Sequence, residues 1–239
     1  MIEQLHLLSL LSLGAGVGCA LWIARDIRHR PQPMWIMALV WPLCALFGSA
    51  IILAGYMTFG RAPAGGQGGH AHHHVSGPRP PFAISVAKGT LHCGSGCTLG
   101  DILAETLAFF VPGVAVAFGW PWLFSEKIFA IWGLDFVLAF GLGIAFQYFA
   151  IQPMRKLGLR AGLIAALKAD AASLAAWQVG MYGFMGFAHF WLFPQVLGQT
   201  LAMASAEFWF MMQIAMICGF VTAYPVNWWL IRVGIKERM

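Results

Sequence analysis

Residues 92–105 read HCGSGCTLGDILAE, a histidine, two thiols and two carboxylates within one short stretch. Two thiolates and an imidazole make a trigonal set suited to a soft metal ion, copper as Cu(I) before zinc. His92, Cys93 and Cys97 are therefore the first candidate metal ligands. The spacing Cys93-x-x-x-Cys97 is neither the C-x-x-C of redox motifs nor the C-x-x-C-H of haem attachment. The plainer alternative is a capped helix start with two passive cysteines. Thr98-Leu99-Gly100-Asp101 fits a capping box, which predicts a helix opening near Leu99 with Cys97 just outside its N-terminus. A thiolate there is favoured by the helix dipole. Asp101 and Glu105, four residues apart, would then share one face.

Further polar residues lie inside apolar runs, where ionisable groups are costly and usually face a bundle interior or a wet path. Projected at helical pitch, Asp170, Gln178, Met181, Met185 and His189 fall on one arc. In the last run Glu207, Met211, Cys218 and Thr222 share a face, and Met212, Gln213, Met216 and Asn227 share another. Met185, His189 and Met211 are the candidate outer ligands for a soft ion. Asp101, Glu105, Asp170, Gln178 and Asn227 are the candidate polar or proton path. Methionines alone are read more simply as packing. Bound haem is not expected, because only His6 and His189 lie in spans and two facing axial ligands are needed. No phosphate loop, HExxH motif or nucleophilic triad is present, so catalysis is not indicated.

These residues need a membrane scaffold to position them. The chain has 239 residues, 60% hydrophobic and 10% charged, where a soluble domain carries about a quarter charged. Runs at Leu5–Ala24, Trp35–Phe59, Ile102–Phe124, Ile128–Gln152, Ala171–Phe193 and Glu207–Ile231 are each long enough for a bilayer. The expected fold is an all-α integral membrane protein with a six-helix transmembrane bundle. A two-helix unit (1–59) precedes a Gly/Pro/His-rich linker (60–81) and a four-helix core (82–239). His70, His72, His73 and His74 in the linker offer at most weak capture of a divalent ion. The net charge of +5 comes from connecting loops and calls for no nucleic acid.

Basic residues orient the chain. Arg155, Lys156, Arg160 and Lys168, with Arg232, Lys236 and Arg238, outnumber Lys127 and put the tail in the cytoplasm. The connection RDIRHR (residues 25–30) conflicts, since six simple crossings would put it outside. Either the first hairpin is held against its preference, or one segment does not fully cross.

The segments HCGSGCTLGD, LAFGLGIAFQYFAI, LKADAASLAAWQVGMYG, EFWFMMQIAM and TAYPVNWWLIRVGIKERM together resemble a widespread bacterial integral-membrane family of unknown function, over roughly Ile84 to Met239. The resemblance implies the bacterial inner membrane and no established activity. The resemblance also implies relatives joined to multicopper oxidase-like proteins, which leans the expectation towards copper. The leading expectation is a protein that binds and moves or delivers Cu(I). Its rivals are a structural subunit of a larger membrane complex, and a membrane redox protein or non-metal transporter that uses the carboxylates. The expected partners are membrane lipid, the metal ion and such a complex.

Overall fold

A computed structural model describes residues 2–63, 80–155 and 157–238. The linker histidines and Lys156 lie outside the described residues. All regular elements among those described are helical. They are α1 (Ile2–His29), α2 (Met37–Gly55, continued by a π-helical turn Tyr56–Gly60), α3 (Phe82–Phe110) and the short α4 (Gly113–Ala117). They continue with α5 (Lys127–Arg155), α6 (Leu159–Phe187, continued by a π-helical Ala188–Leu197) and α7 (Ala206–Arg232). Four segments are long and apolar enough to cross a membrane: Ile2–His29, Met37–Gly60, Lys127–Gln152 and Ala206–Arg232. α3 and α6 are as long as α5, at 29 residues each, but are less apolar, and carry more of the buried polar side chains than α5 does.

The core is a four-helix bundle whose members alternate in direction. Gly96 meets Gly143 and Gly100 meets Ala139, so α3 and α5 run antiparallel at backbone contact. Small residues permit that approach where a side chain would hold the helices apart. Gly143 meets Leu174, and Tyr182 reaches Asp135, which sets α6 antiparallel to α5. Thr222 Oγ1 donates to Ala176 O at 2.7 Å across the α6–α7 seam, where Gly180 lies against Cys218. At one end of the bundle the N-terminus of α3 meets the C-terminus of α7, with Phe82 packed on Trp228. We call this the basic end. At the other end His6 Nδ1 meets Glu207 Oε1 at 2.7 Å, which starts α1 beside the start of α7.

α2 does not run as a rod. Trp41 and Tyr56 are fifteen residues apart (56 − 41 = 15) and would be separated by about 22 Å in a straight helix. Their ring centroids lie 5.5 Å apart. Gly60 also abuts the Trp41 ring. The reversal is at Ser49, with φ 41° and ψ −121°, the dihedrals of the first central residue of a type II′ turn. Both arms therefore end at the same end of the bundle. Asp26, near the end of α1, accepts from Arg61 Nη2 at 2.6 Å and from Tyr56 Oη at 2.8 Å. Lys88, near the start of α3, donates to Phe59 O at 2.6 Å. The run Trp35–Phe59, read as a simple span, is a folded-back pair of short helices, and the six-rod arrangement is corrected accordingly. Backbone exposed by such a break in lipid needs internal partners. Gln213 Nε2 supplies one by donating to Leu46 O at 2.6 Å, and Ser12 Oγ donates to Gln213 Oε1 at 2.7 Å.

The third helix also differs from the expectation. It opens at Phe82, after Pro80-Pro81, and not at Leu99. The proposed capping box lies mid-helix: Thr98 Oγ1 donates back to Gly94 O at 2.7 Å, as an interior threonine does. The helix then stops at Phe110, before Pro112, so the run Ile102–Phe124 is not one span.

Candidate functional site

The first polar layer sits in the half of the core nearer the basic end, where α3, α6 and α7 supply Cys93, Asp170, Ser173 and Asn227, all fully buried. The segment after α7 adds the last member. α7 ends at Arg232, Gly234 turns the chain at φ 77°, and the amides of Ile235 and Lys236 donate to Leu230 O at 3.0 and 3.2 Å. This left-handed helix cap throws Lys236 back into the bundle along Gly89, where even an added Cβ would lie in ordinary van der Waals contact with the lysine stem. Its ammonium Nζ lies 2.5 Å from Asp170 Oδ1, 2.7 Å from Asn227 Oδ1, 3.0 Å from Cys93 Sγ and 3.2 Å from Gly89 O. Cys93 Sγ is 2.9 Å from Asp170 Oδ1 and accepts from Ser173 Oγ at 3.2 Å. Asn227 Nδ2 in turn donates to Ser173 Oγ. A lysine side chain with no exposure survives in such a place only when paired and hydrogen-bonded, as it is here.

A second layer lies further along the same helices. Asp101 and Glu105 of α3 face Asp135 of α5, and all three are buried. Tyr182 Oη donates to Asp135 Oδ2 at 2.8 Å, with its ring stacked on Trp132 at 4.8 Å. Neither Asp101 oxygen meets a donor side chain, and the neighbouring Asp135 leaves Oδ1 without one.

Between the layers stands Trp177, wholly buried and slotted between Gly94 and Gly219. Its Nε1 donates to Met216 Sδ at 3.4 Å, and Phe47 from the first arm of α2 packs on it at 5.9 Å. Buried polar atoms without a side-chain or backbone partner line the same interior: both ring nitrogens of His92, Gln147 Oε1, both amide atoms of Gln178 and Asp170 Oδ2.

Sequence reasoning grouped several of these residues correctly and misplaced others. Asp170 and Asn227 do converge, on Cys93. Asp101 and Glu105, grouped with Asp170 in one candidate path, lie in a separate layer with Asp135 because α3 starts so much earlier. His92 and the two thiols do not close on one point: His92 faces Phe146 at 6.4 Å, whereas Cys93 faces Lys236. Among the described residues no three His, Cys, Asp or Glu side chains are grouped as a metal set. Met185 and Met211 are buried in the apolar cluster with Phe193 and Phe208. His189 is half-buried on the π-helical segment against Phe190 at 4.8 Å. The residue that sequence reasoning missed is Lys236, whose tail position beside Arg232 and Arg238 reads as a solvated charge. The Gly234 stop signal was the available hint that the chain turns back there.

Residues 84–236 match the family described as Domain of unknown function (DUF4396), and the chain belongs to that family. Its boundaries enclose both polar layers and Lys236, and leave out α1 and the folded-back α2. Comparison with curated proteins finds no match, and comparison with solved structures finds none.

Proposed function

We propose that this protein carries cations, with protons the simplest case, across the bacterial inner membrane through α3, α5, α6 and α7. The observation behind this reading is the pair of buried ionisable layers, Cys93–Asp170–Lys236 and Asp101–Asp135–Glu105, stacked along the same helices in a chain otherwise so apolar. Buried charges inside a membrane bundle are costly and mark ion paths or relays. Structural glue would not need the unpartnered His92 and Gln178 between and beside the layers.

The same reading gives the topology. α1, α3, α5, α6 and α7 each cross, while α2 enters and leaves on one side, a total of five crossings. The basic end then gathers Arg25, Arg28 and Arg30 with Arg61, Lys88, Arg160 and Arg232, leaving Lys127 at the other. The conflict posed by RDIRHR disappears, the C-terminal segment is cytoplasmic and the start of α1 lies outside.

The test is ion flux in proteoliposomes of the purified protein, read by a trapped pH dye under an imposed potential. Flux in the wild type that is lost in both Asp101→Asn and Asp170→Asn supports the reading; undiminished flux in both variants overturns it. No wild-type flux, together with a partner retained on mild solubilisation, would point to a structural subunit. Cu(I) delivery stays as the second reading, favoured by Cys93 and Cys97 standing one turn apart, both fully buried. It requires that Cys93→Ser with Cys97→Ser abolish Cu(I) retention against a chelator.

A further inference from the structure

The ammonium of Lys236 lies where a free cation would be coordinated. Three oxygens and a sulfur surround Nζ at 2.5–3.2 Å, from Gly89, Asp170, Asn227 and Cys93. We propose that this pocket is a seat for a small monovalent cation of ammonium or potassium size, with Lys236 as its tethered competitor. The inference deepens the reading above by naming the cargo class of the cytoplasmic layer.

The donor set fits that class. One carboxylate, one amide oxygen, one main-chain carbonyl and one thiol supply a single negative charge, so one positive charge leaves the buried pocket neutral. A divalent ion would leave excess charge in a site with no exposed wall. The pocket also holds more acceptors than the lysine can use. An ammonium on a side chain has three protons, which four neighbours share, while Asp170 Oδ2 is buried without a partner. That unpartnered buried oxygen is an independent sign that the site suits more than the lysine.

The competitor is attached in a way that permits withdrawal. Lys236 is not on a helix; it follows the Gly234 turn, and removing it leaves α7 intact to Arg232. The segment is fastened at the bundle surface by Arg238, which donates to Ser85 Oγ at 3.1 Å and Pro80 O at 2.8 Å and lies over the Phe82 ring. That anchor is partly exposed, so its release costs little compared with the buried pair it controls. On withdrawal Asp170 would stay buried beside Cys93 and Asn227 without a counter-charge, and a cation from the cytoplasm would fill the same four contacts.

The experiment compares Lys236→Ala protein, extracted and held in detergent, in ammonium, potassium, sodium and choline chloride at equal ionic strength. Thermal unfolding is the readout, with Asp170→Asn/Lys236→Ala as the control for folding without the pair. The proposal expects a saturable rise of several degrees in the unfolding midpoint of Lys236→Ala with ammonium or potassium, none with choline, and none in the double variant. Ammonium alone would assign hydrogen-bonding cations, and potassium as well would assign size and charge. Equal midpoints in all four salts overturn the proposal, as does a single variant that fails to fold in every salt while the double variant folds. Flux through the Asp101 layer is measured separately, so persistence of that flux with no cation response would remove this inference and leave the carrier reading standing.

Discussion

Gln213→Leu should destabilise the protein by more than its modest change in size suggests. The side chain is nearly buried in α7 and holds the break in α2. Its Nε2 donates to Leu46 O at 2.6 Å, and its Oε1 accepts from Ser12 Oγ at 2.7 Å. Leucine keeps the volume and removes both bonds. In lipid no water replaces the donor to Leu46 O, so the carbonyl carries an unsatisfied-group penalty of about 1–3 kcal/mol. Loss of the Ser12 bond adds roughly 0.5–1.5 kcal/mol, which brings the expected total to about 2–4 kcal/mol. For a chain of this length each kcal/mol moves the midpoint by roughly 2–4 °C, so a fall of roughly 4–16 °C is expected. The assay is thermal unfolding in a mild detergent, with Ser12→Ala and the double variant completing a cycle. Ser12→Ala should cost only about 1 kcal/mol, because it leaves Leu46 O satisfied. A change in Gln213→Leu below about 0.5 kcal/mol, the level of an ordinary surface substitution, would refute the role of Gln213 in holding the reversed helix pair.

Ser49→Gly should stabilise the same reversal by about 0.5–1 kcal/mol, since the φ of 41° strains any side chain but not glycine; a lower unfolding midpoint would count against the turn at that residue. Gly96→Leu should prevent stable extraction, because α3 and α5 meet there backbone to backbone, whereas Gly18→Leu, which faces open space, should be tolerated; equal yields would contradict the packing. Reporter fusions should place the N-terminal end outside and the C-terminal end in the cytoplasm; finding both ends on one side would restore an even number of crossings and sink the re-entrant description of α2.

Much of the core was legible from the sequence because α5, α6 and α7 are long apolar runs with polar residues at helical spacing. Asp170 and Asn227 could be placed on inward faces for that reason. α2 was not legible as a reversal, since Trp35–Phe59 has no charge to mark its middle, and Gly48-Ser49 is unremarkable in a membrane helix. The basic residues of RDIRHR were the one signal, and they registered as a conflict in orientation. The start of α3 was obscured for a different reason. Gly94, Gly96 and Gly100 weaken a helix in water, but in a bundle they admit Trp177 and α5 at close range. Tertiary packing thus reversed the local preference that suggested a start at Leu99. Lys236 was hidden by its distance along the chain from Cys93 and Asp170, which no periodicity connects.

The stacking of the two layers gives the protein a relation to membrane voltage. Cys93 and Asp101 stand eight residues apart on α3 (101 − 93 = 8), roughly 12 Å along the helix axis. That is about two-fifths of a hydrocarbon core of ~30 Å. A unit charge passing from one layer to the other would cross a similar fraction of the field, worth about 0.9 kcal/mol for each 100 mV. Trp177 packs against Gly94, one residue along α3 from Cys93, so the indole stands at the first layer's edge of that interval.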